Sequence, residues 1–476
     1  MACDQKTANL AVSRVFPGFL GLIIIYACWT FTRSLCIDYL LDISTSSRNP
    51  RNATAIGLLV AFYILLIGLL VSYLRLLILL VWNPDYVPRG SQHSEAQVET
   101  RPAKRERRSR RGKSKSKKNN GDEEWHGLGI IGGRRAEKSA YPIDASGLEA
   151  FYLKDVFVCK EDGRPAWCST CCQFKSDRAH HCRETGRCVR KMDHFCPWVG
   201  GVVSETSFKF FIQFLFHTLL FTLYILVVMA VFVAEYRIET GKLLVHWTVL
   251  LGLSASFCLF SLGMLGSSLQ LACVNASTIE NLDRRAKVWT LAILIPPSIK
   301  FPGGDAGNQL APTFPVVSFS AQAFGVVSPS QTAFEETGNT EPPRRDFAIL
   351  HTKPGENPWD LGSWLENLKE VMGYSFLDWV SPLKASPCTD HSNPESAFRL
   401  GPVVQRLKRE VGFESWDGDK ELTPRDRTRG HRHRGGKKKK GSCSGPRSSS
   451  SREQRSEKPR DTQRPPDTYS GEASSG

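Results

Sequence analysis

The sequence predicts an α-helical, polytopic membrane protein: four transmembrane helices with a cytosolic zinc-binding cysteine-rich domain between spans 2 and 3. Three observations predict it. Four runs are each long and apolar enough for a bilayer, whose crossing takes about 20 mostly apolar residues. Seven of the fourteen cysteines crowd between Cys159 and Cys196, mixed with histidines. The excess behind the net charge of +15 sits largely in two basic runs outside the apolar stretches.

Residues 1–81 hold the first two spans, about 15–32 ("VFPGFLGLIIIYACWTFT") and 56–81. Arg75 in the second can carry its charge along its aliphatic stem to the nearer interface. A cleaved signal peptide is the alternative for the first span and fits the flanking Arg14. No small-x-small cleavage site follows it, however, and three further spans do. Residues 82–125 are a basic cytosolic linker: 101–118, "RPAKRERRSRRGKSKSKK", carry eleven basic residues against Glu106 alone. Such a block repels itself and suits either anionic headgroups or plain solvation, and the sequence leaves both open. Its position places the loop between spans 2 and 3 in the cytosol and therefore both termini as well. The sequon at Asn52 then falls in a non-cytosolic loop, and the one at Asn275 is cytosolic and bland.

Residues 126–209 form the cysteine-rich domain and include strand-like apolar stretches such as "AFYLKDVFVC". Spans 3 and 4 follow within 210–271, at about 210–234 and 247–271. The fourth is rich in Gly, Ala and Ser, which permits close helix packing. Gln213 and His217 lie one turn apart in the third and are expected to hydrogen-bond within the bundle. Residues 272–420 are a cytosolic C-terminal region. Within it 300–355 read as loop, and "NPWDLGSWLENLKEVMG" (357–373) reads as a helix packing Leu361, Trp364, Leu365, Leu368 and Met372 on one face and stopping at Gly373. Residues 421–476 are a low-complexity basic tail, expected to be disordered.

The chemistry concentrates in "CSTCCQFKSDRAHHCRETGRCVRKMDHFCPW", residues 168–198. A secreted disulfide scaffold would be short and cysteine-paired throughout; this mixture of Cys and His suits reduced thiols on a metal. Cys168 and Cys171 are the tight pair a structural zinc site uses, and His181 with Cys188 can complete a tetrahedron.

This stretch resembles the cysteine-rich domain of DHHC-type protein S-acyltransferases, in particular the fungal Pfa-type palmitoyltransferases. Three further motifs extend the resemblance over roughly residues 14–373: "NPDYVP" at 83–88, Ser277-Thr278-Ile279-Glu280, which is similar to the family's TTxE, and "NPWDLG" with Asn367. The resemblance implies palmitoyl transfer from acyl-CoA to cysteines of cytosolic or membrane-associated proteins, with the bilayer as a further partner. It also implies two zinc sites. The first maps onto Cys168, Cys171, His181 and Cys188. The second would use Cys182 and positions 185, 195 and 202, which here are Thr185, Phe195 and Val202. Three of four ligands are gone together, so one zinc is expected, with Phe195 and Val202 filling the second site and Cys182 left as a spare thiol. The DHHC tetrad reads Asp193-His194-Phe195-Cys196: the lost histidine is the family's zinc ligand, and the retained one is its catalytic histidine.

Thioester exchange needs a thiolate, and a free cysteine with pKa about 8.5 is little ionised at neutral pH. An imidazole can take the proton and a carboxylate can fix that imidazole's tautomer. Cys196 is therefore the expected nucleophile, His194 the base and Asp193 its orienter, with Arg190 and Lys191 as candidates for the CoA phosphates and Trp198 packing nearby. Two rival readings differ in class. A nucleic-acid-binding zinc protein explains the charge but not four spans, so no nucleic-acid partner is expected. A catalytically inactive zinc-containing membrane scaffold explains the spans but assigns Cys196 no turnover.

Overall fold

In the computed structural model, residues 5–42, 50–90, 151, 153–297, 299, 314–320 and 344–413 are described. The basic run at 101–118 and the tail at 421–476 lie outside them. Four helices are long and apolar enough to cross a membrane. The first is α1 (Gln5–Trp29), which continues in wider π-type turns through Thr30–Leu41. The others are α2 (Asn52–Trp82), α3 (Phe208–Thr240) and α4 (Val245–Cys273). Each is longer than its apolar core, because polar residues at either end continue the helix beyond the hydrocarbon. α1 gains most: it starts ten residues before the predicted span, and its Ser13 carbonyl reaches the loop at Gly200, beside the cysteine-rich domain.

The bundle is filled by two apolar clusters. One is built on Phe31, Phe62, Phe221, Met229 and Trp247, with Phe31 stacked on Phe62 at 4.3 Å. The other, at the end that meets the cysteine-rich domain, contains Phe210, Phe211, Leu265, Leu271 and Cys196. Both polar residues of the third span are hydrogen-bonded, but of the two side chains only that of His217 bonds within the bundle, whereas Gln213 reaches the C-terminal region. The Gln213 amide donates to the carbonyls of Asp378, Trp379 and Ser381, and the His217 ring bonds the Gln213 carbonyl.

The cysteine-rich domain is made of short hairpins. β2 (Trp167–Cys168) pairs β3 (Gln173–Phe174), β4 (His180–Cys182) pairs β5 (Arg187–Val189), and β6 (His194–Cys196) pairs β7 (Gly201–Val203). The strand-like "VFV" before the cluster is β1 (Val156–Val158). It joins β8 (Thr290–Leu294), β10 (Arg344–His351) and β9 (Val316–Ser320) in an antiparallel sheet of order β1-β8-β10-β9. Two of those strands fall in the region read as loop. Alternation along them is regular. Phe157, Ala292, Phe347 and Ile349 face Phe174 of the cysteine-rich domain, and Val156, Leu291, Ile293 and Ala348 face Val404 and Leu407 of a C-terminal helix, Pro402–Glu410.

Between α4 and the sheet lies a one-turn helix, α5 (Thr278–Leu282), closed by a capping box between Ser277 and Glu280. The NPWDLG helix is shorter than its apolar spacing suggested: α6 runs Trp364–Met372. Asn357–Gly362 turns instead, with Gly362 at φ +81°, so Trp364 falls off the packed face and is 64% exposed, while Trp359 is 1% exposed. Leu368, Val371 and Met372 do pack, and Gly373 ends the helix as expected, at φ +104°.

Candidate active site and metal centre

Two hairpins converge the first ligand set. β2 carries Cys168, the turn after it Cys171, β4 His181 and β5 Cys188, with His181 directly opposite Cys188 in register. Their ligand atoms all lie within 4.8 Å of one another. The His181 Nδ1 is 3.6, 3.3 and 3.9 Å from the sulfurs of Cys168, Cys171 and Cys188. Metal–ligand bonds of about 2.3 Å to sulfur and 2.0–2.1 Å to nitrogen, arranged tetrahedrally, set such edges at roughly 3.6 Å. The four residues therefore fit a zinc ion. All described cysteines are free thiols, in keeping with a reduced cluster.

On the other side of the domain, Cys182 lies in one apolar cluster with Val189, Met192 and Val202, and Phe195, Tyr86 and Ile279 pack against it. The positions that would make a second metal site are thus gathered, but around packed hydrocarbon. Cys182 is fully buried, and burial pushes its thiol pKa up. Among the described residues, one group alone brings together four metal-ligating side chains.

β6 carries His194 and Cys196, with Asp193 immediately before it. His194 pairs with Val203 and Cys196 with Gly201, so their side chains share one face of the hairpin. The His194 Nδ1 is 2.6 Å from Asp193 Oδ2. Asp193 is itself held from α5: the Thr278 amide donates to Oδ1 at 2.8 Å and its hydroxyl to Oδ2 at 2.9 Å. With Nδ1 engaged, Nε2 remains; it is buried without a hydrogen-bond partner among the described side chains. Burial works against charge on this imidazole. The Asp193 carboxylate and the Cys196 side chain overcome it, and the pKa is pushed up to about 9. Cys196 sits in the apolar cluster at the bundle's end, beside Tyr73, Val199 and Leu265. Next to it, the Trp198 ring meets Phe16, Phe260 and Phe257 at 4.6, 5.4 and 6.4 Å.

The remaining motifs lock this arrangement in place. Asp85, after α2, accepts from Ser204 Oγ at 2.9 Å and the Thr206 amide at 2.7 Å, while Tyr86 bridges to Val189. Arg178 donates to both carboxylate oxygens of Glu280, at 2.8 and 2.6 Å, and to the side chain and carbonyl of Asn275. Its guanidinium lies 4.5 Å from the Trp359 ring centroid. Glu280 is buried, which opposes its charge, but Arg178 holds it below the usual carboxylate range. Asn275, read from sequence as a bland sequon, is a buried hub that also donates to the Trp359 carbonyl. Asn367 donates to the Cys273 carbonyl and to Asp360. Arg178 and Asn275 carried no sequence signal beyond their neighbours; their roles come from contacts about 100 residues apart in the chain.

Lys191 departs from expectation. It is buried, with its ammonium 5.7 Å from the Phe398 ring, because a left-handed backbone at φ +38° turns it inward. It is not a surface cation for CoA phosphates. Arg190 remains exposed.

Comparison with known proteins agrees with this geometry. The DHHC palmitoyltransferase family matches residues 161–285. Palmitoyltransferase pfa5 of Aspergillus fumigatus is 48% identical over 421 residues, covering 86% of this chain and 92% of that protein. Palmitoyltransferase pfa5 of Emericella nidulans is 48% identical over 436 residues, covering 87% and 88%. The human palmitoyltransferase ZDHHC3 is 32% identical over 133 residues, 26% of this chain and 44% of that protein.

Proposed function

This chain belongs to the DHHC palmitoyltransferase family, and we propose that its acyl transfer runs through Cys196, with His194 moving the proton and Asp193 holding His194. The protein is a multi-pass membrane enzyme that transfers a palmitoyl group to protein cysteines. The observation that carries the assignment is the His194 imidazole, bonded through Nδ1 to a tethered carboxylate and set on the same face of its hairpin as the Cys196 thiol.

The Cys196 thiolate attacks the carbonyl carbon of a long-chain acyl-CoA. A new C–S bond forms, the bond to CoA breaks, and the departing CoA sulfur takes the proton from His194. An acceptor protein's cysteine then gives its thiol proton to His194 and attacks the acyl-enzyme, releasing the Cys196 thiolate. Asp193 keeps the Nδ1 proton, so Nε2 alone exchanges protons. The hydrocarbon of the donor lies along the bundle's apolar interior next to Cys196 and Trp198, where each buried methylene contributes about 0.8 kcal/mol. Zinc on Cys168, Cys171, His181 and Cys188 supplies structure, fixing the hairpins on which β6 rests; one zinc per chain is the reading. The basic 101–118 run supports a cytosolic cysteine-rich domain and cytosolic termini, on the side that holds acyl-CoA.

Cys196→Ser tests this. The purified wild type should label itself with an alkynyl palmitoyl-CoA through a hydroxylamine-sensitive bond, and the variant should not. Labelling that persists in the variant would move the nucleophile elsewhere. Absence of label in both would favour the inactive scaffold.

A further inference from the structure

The chain after α6 presents an apolar surface that the fold leaves uncovered. α7 (Phe376–Val380) is preceded by Gly373 and closed at its start by a capping box between Ser375 and Asp378. It is therefore a formed element. Yet Tyr374 is 62% exposed, Phe376 72%, Leu377 74% and Leu383, just beyond it, 79%. A contiguous set of large apolar side chains on a capped, hydrogen-bonded turn marks a contact surface.

Its place in the fold says what covers it. The three carbonyls that accept from the Gln213 amide, those of Asp378, Trp379 and Ser381, include ones that the end of α7 leaves without helical partners. Gln213 lies five residues into α3, about 7 Å along its axis. α7 is thus fastened beside the second turn of a membrane-crossing helix. Trp379 turns the other way: its indole donates to the Gly373 carbonyl at 2.7 Å, and its ring packs on the cluster that holds Phe210, Phe211 and Leu265. Lys384 lies at the rim, 73% exposed at its side chain and paired with Asp378 at 3.0 Å. Apolar tips pointing outward, aromatic rings at the flank and a lysine at the edge are the composition of an interfacial segment.

We propose that residues 374–383 form a lipid-contacting element. Phe376, Leu377 and Leu383 sit in the bilayer leaflet on the side of the cysteine-rich domain, continuing the lipid-facing surface of α3. The C-terminal region is thereby docked to the membrane at a point beyond the four helices. Leu368, Val371 and Met372 share an apolar cluster with Cys196, so this contact also braces the shell around the thiol.

The test uses the full-length enzyme in phosphatidylcholine nanodiscs, with the photoreactive residue benzoylphenylalanine replacing Leu377, Leu262 or Val316 in separate preparations. Leu262 is an exposed residue of α4 and Val316 an exposed residue of β9. Each preparation is first checked for self-acylation, so that only folded protein is compared. Irradiation should give phospholipid adducts at 377 as at 262, several-fold above those at 316. Position 377 labelling no better than 316 would overturn the proposal. So would an adduct to a second copy of the chain or to another polypeptide, either of which would make the surface a protein-docking face.

Discussion

The cysteine-rich domain has two halves that do the same structural job by different means. In one, Cys168, Cys171, His181 and Cys188 bring four ligand atoms within 4.8 Å of each other. In the other, Cys182, Phe195 and Val202 meet in an apolar cluster with Met192 and Val189. The hairpins run through both: β4 carries His181 to the first half and Cys182 to the second, since neighbouring residues on a strand face opposite ways. A short-stranded knuckle has too little core to hold itself. On one side a ligand quartet fit for zinc can close it, and on the other hydrocarbon does; β6, which carries His194 and Cys196, borders the hydrocarbon side. Apolar packing can thus occupy the place that the resemblance gives to a second ligand set, directly beside the hairpin of His194 and Cys196.

Breaking the metal half should have the largest effect. Structural zinc contributes about 10 kcal/mol or more to folding in small domains, so Cys171→Ser should abolish bound zinc, expose the knuckle to proteolysis and eliminate self-acylation. Metal content and limited digestion read this directly. Converting the other half sharpens the comparison. The triple change Thr185→Cys, Phe195→His and Val202→Cys restores a four-ligand set around Cys182, and the purified protein should rise from one zinc to two. An unchanged metal count would mean that the apolar half is not a filled-in metal site.

The dyad gives the next effect, and its sign follows from the direction of the shift. The folded-state pKa of His194 lies near 9, above the ordinary value of about 6.5. Its charged interaction therefore stabilises the fold in full below about pH 6.5 and is lost as pH rises through about 9, an effect of roughly 3 kcal/mol. Asp193→Asn should lower the thermal midpoint in detergent at pH 6 to 7, and the gap to wild type should narrow above pH 9. A gap that widens with pH would contradict the assignment. The smallest effect belongs to the apolar half. Phe195→Ala, at a half-buried ring, should cost about 2 kcal/mol, less than the 3–5 kcal/mol of a fully buried phenylalanine, and leave zinc content untouched.

Much of this was legible in the sequence because it is local. Hydropathy places all four spans, and the tight Cys168–Cys171 pair with the His181 and Cys188 that follow marks the quartet. What was not legible depends on contacts between distant segments. β9 and β10 lie in a stretch rich in loop-forming residues and become strands by pairing with each other and, through β10, with β8, whose other partner β1 is more than 130 residues away. Trp364 fits a helical apolar stripe, but Gly362 adopts a left-handed turn that delays the helix, and Trp359 takes the buried place against Arg178. Lys191 is a cation in sequence and an inward-turned side chain in the fold, a consequence of its backbone angle. The same non-local contacts make Asn275 a hub and Thr278 the donor that fixes Asp193.

The proposed mechanism requires a thioester on Cys196 in a domain closed by a single zinc. Native mass spectrometry of the intact enzyme after one turnover with palmitoyl-CoA, followed by peptide mapping, tests both parts together. One zinc and one hydroxylamine-labile palmitoyl group per chain are expected, the latter on the peptide containing Cys196. Two zincs, or an acyl group carried on a different cysteine, would contradict that mechanism.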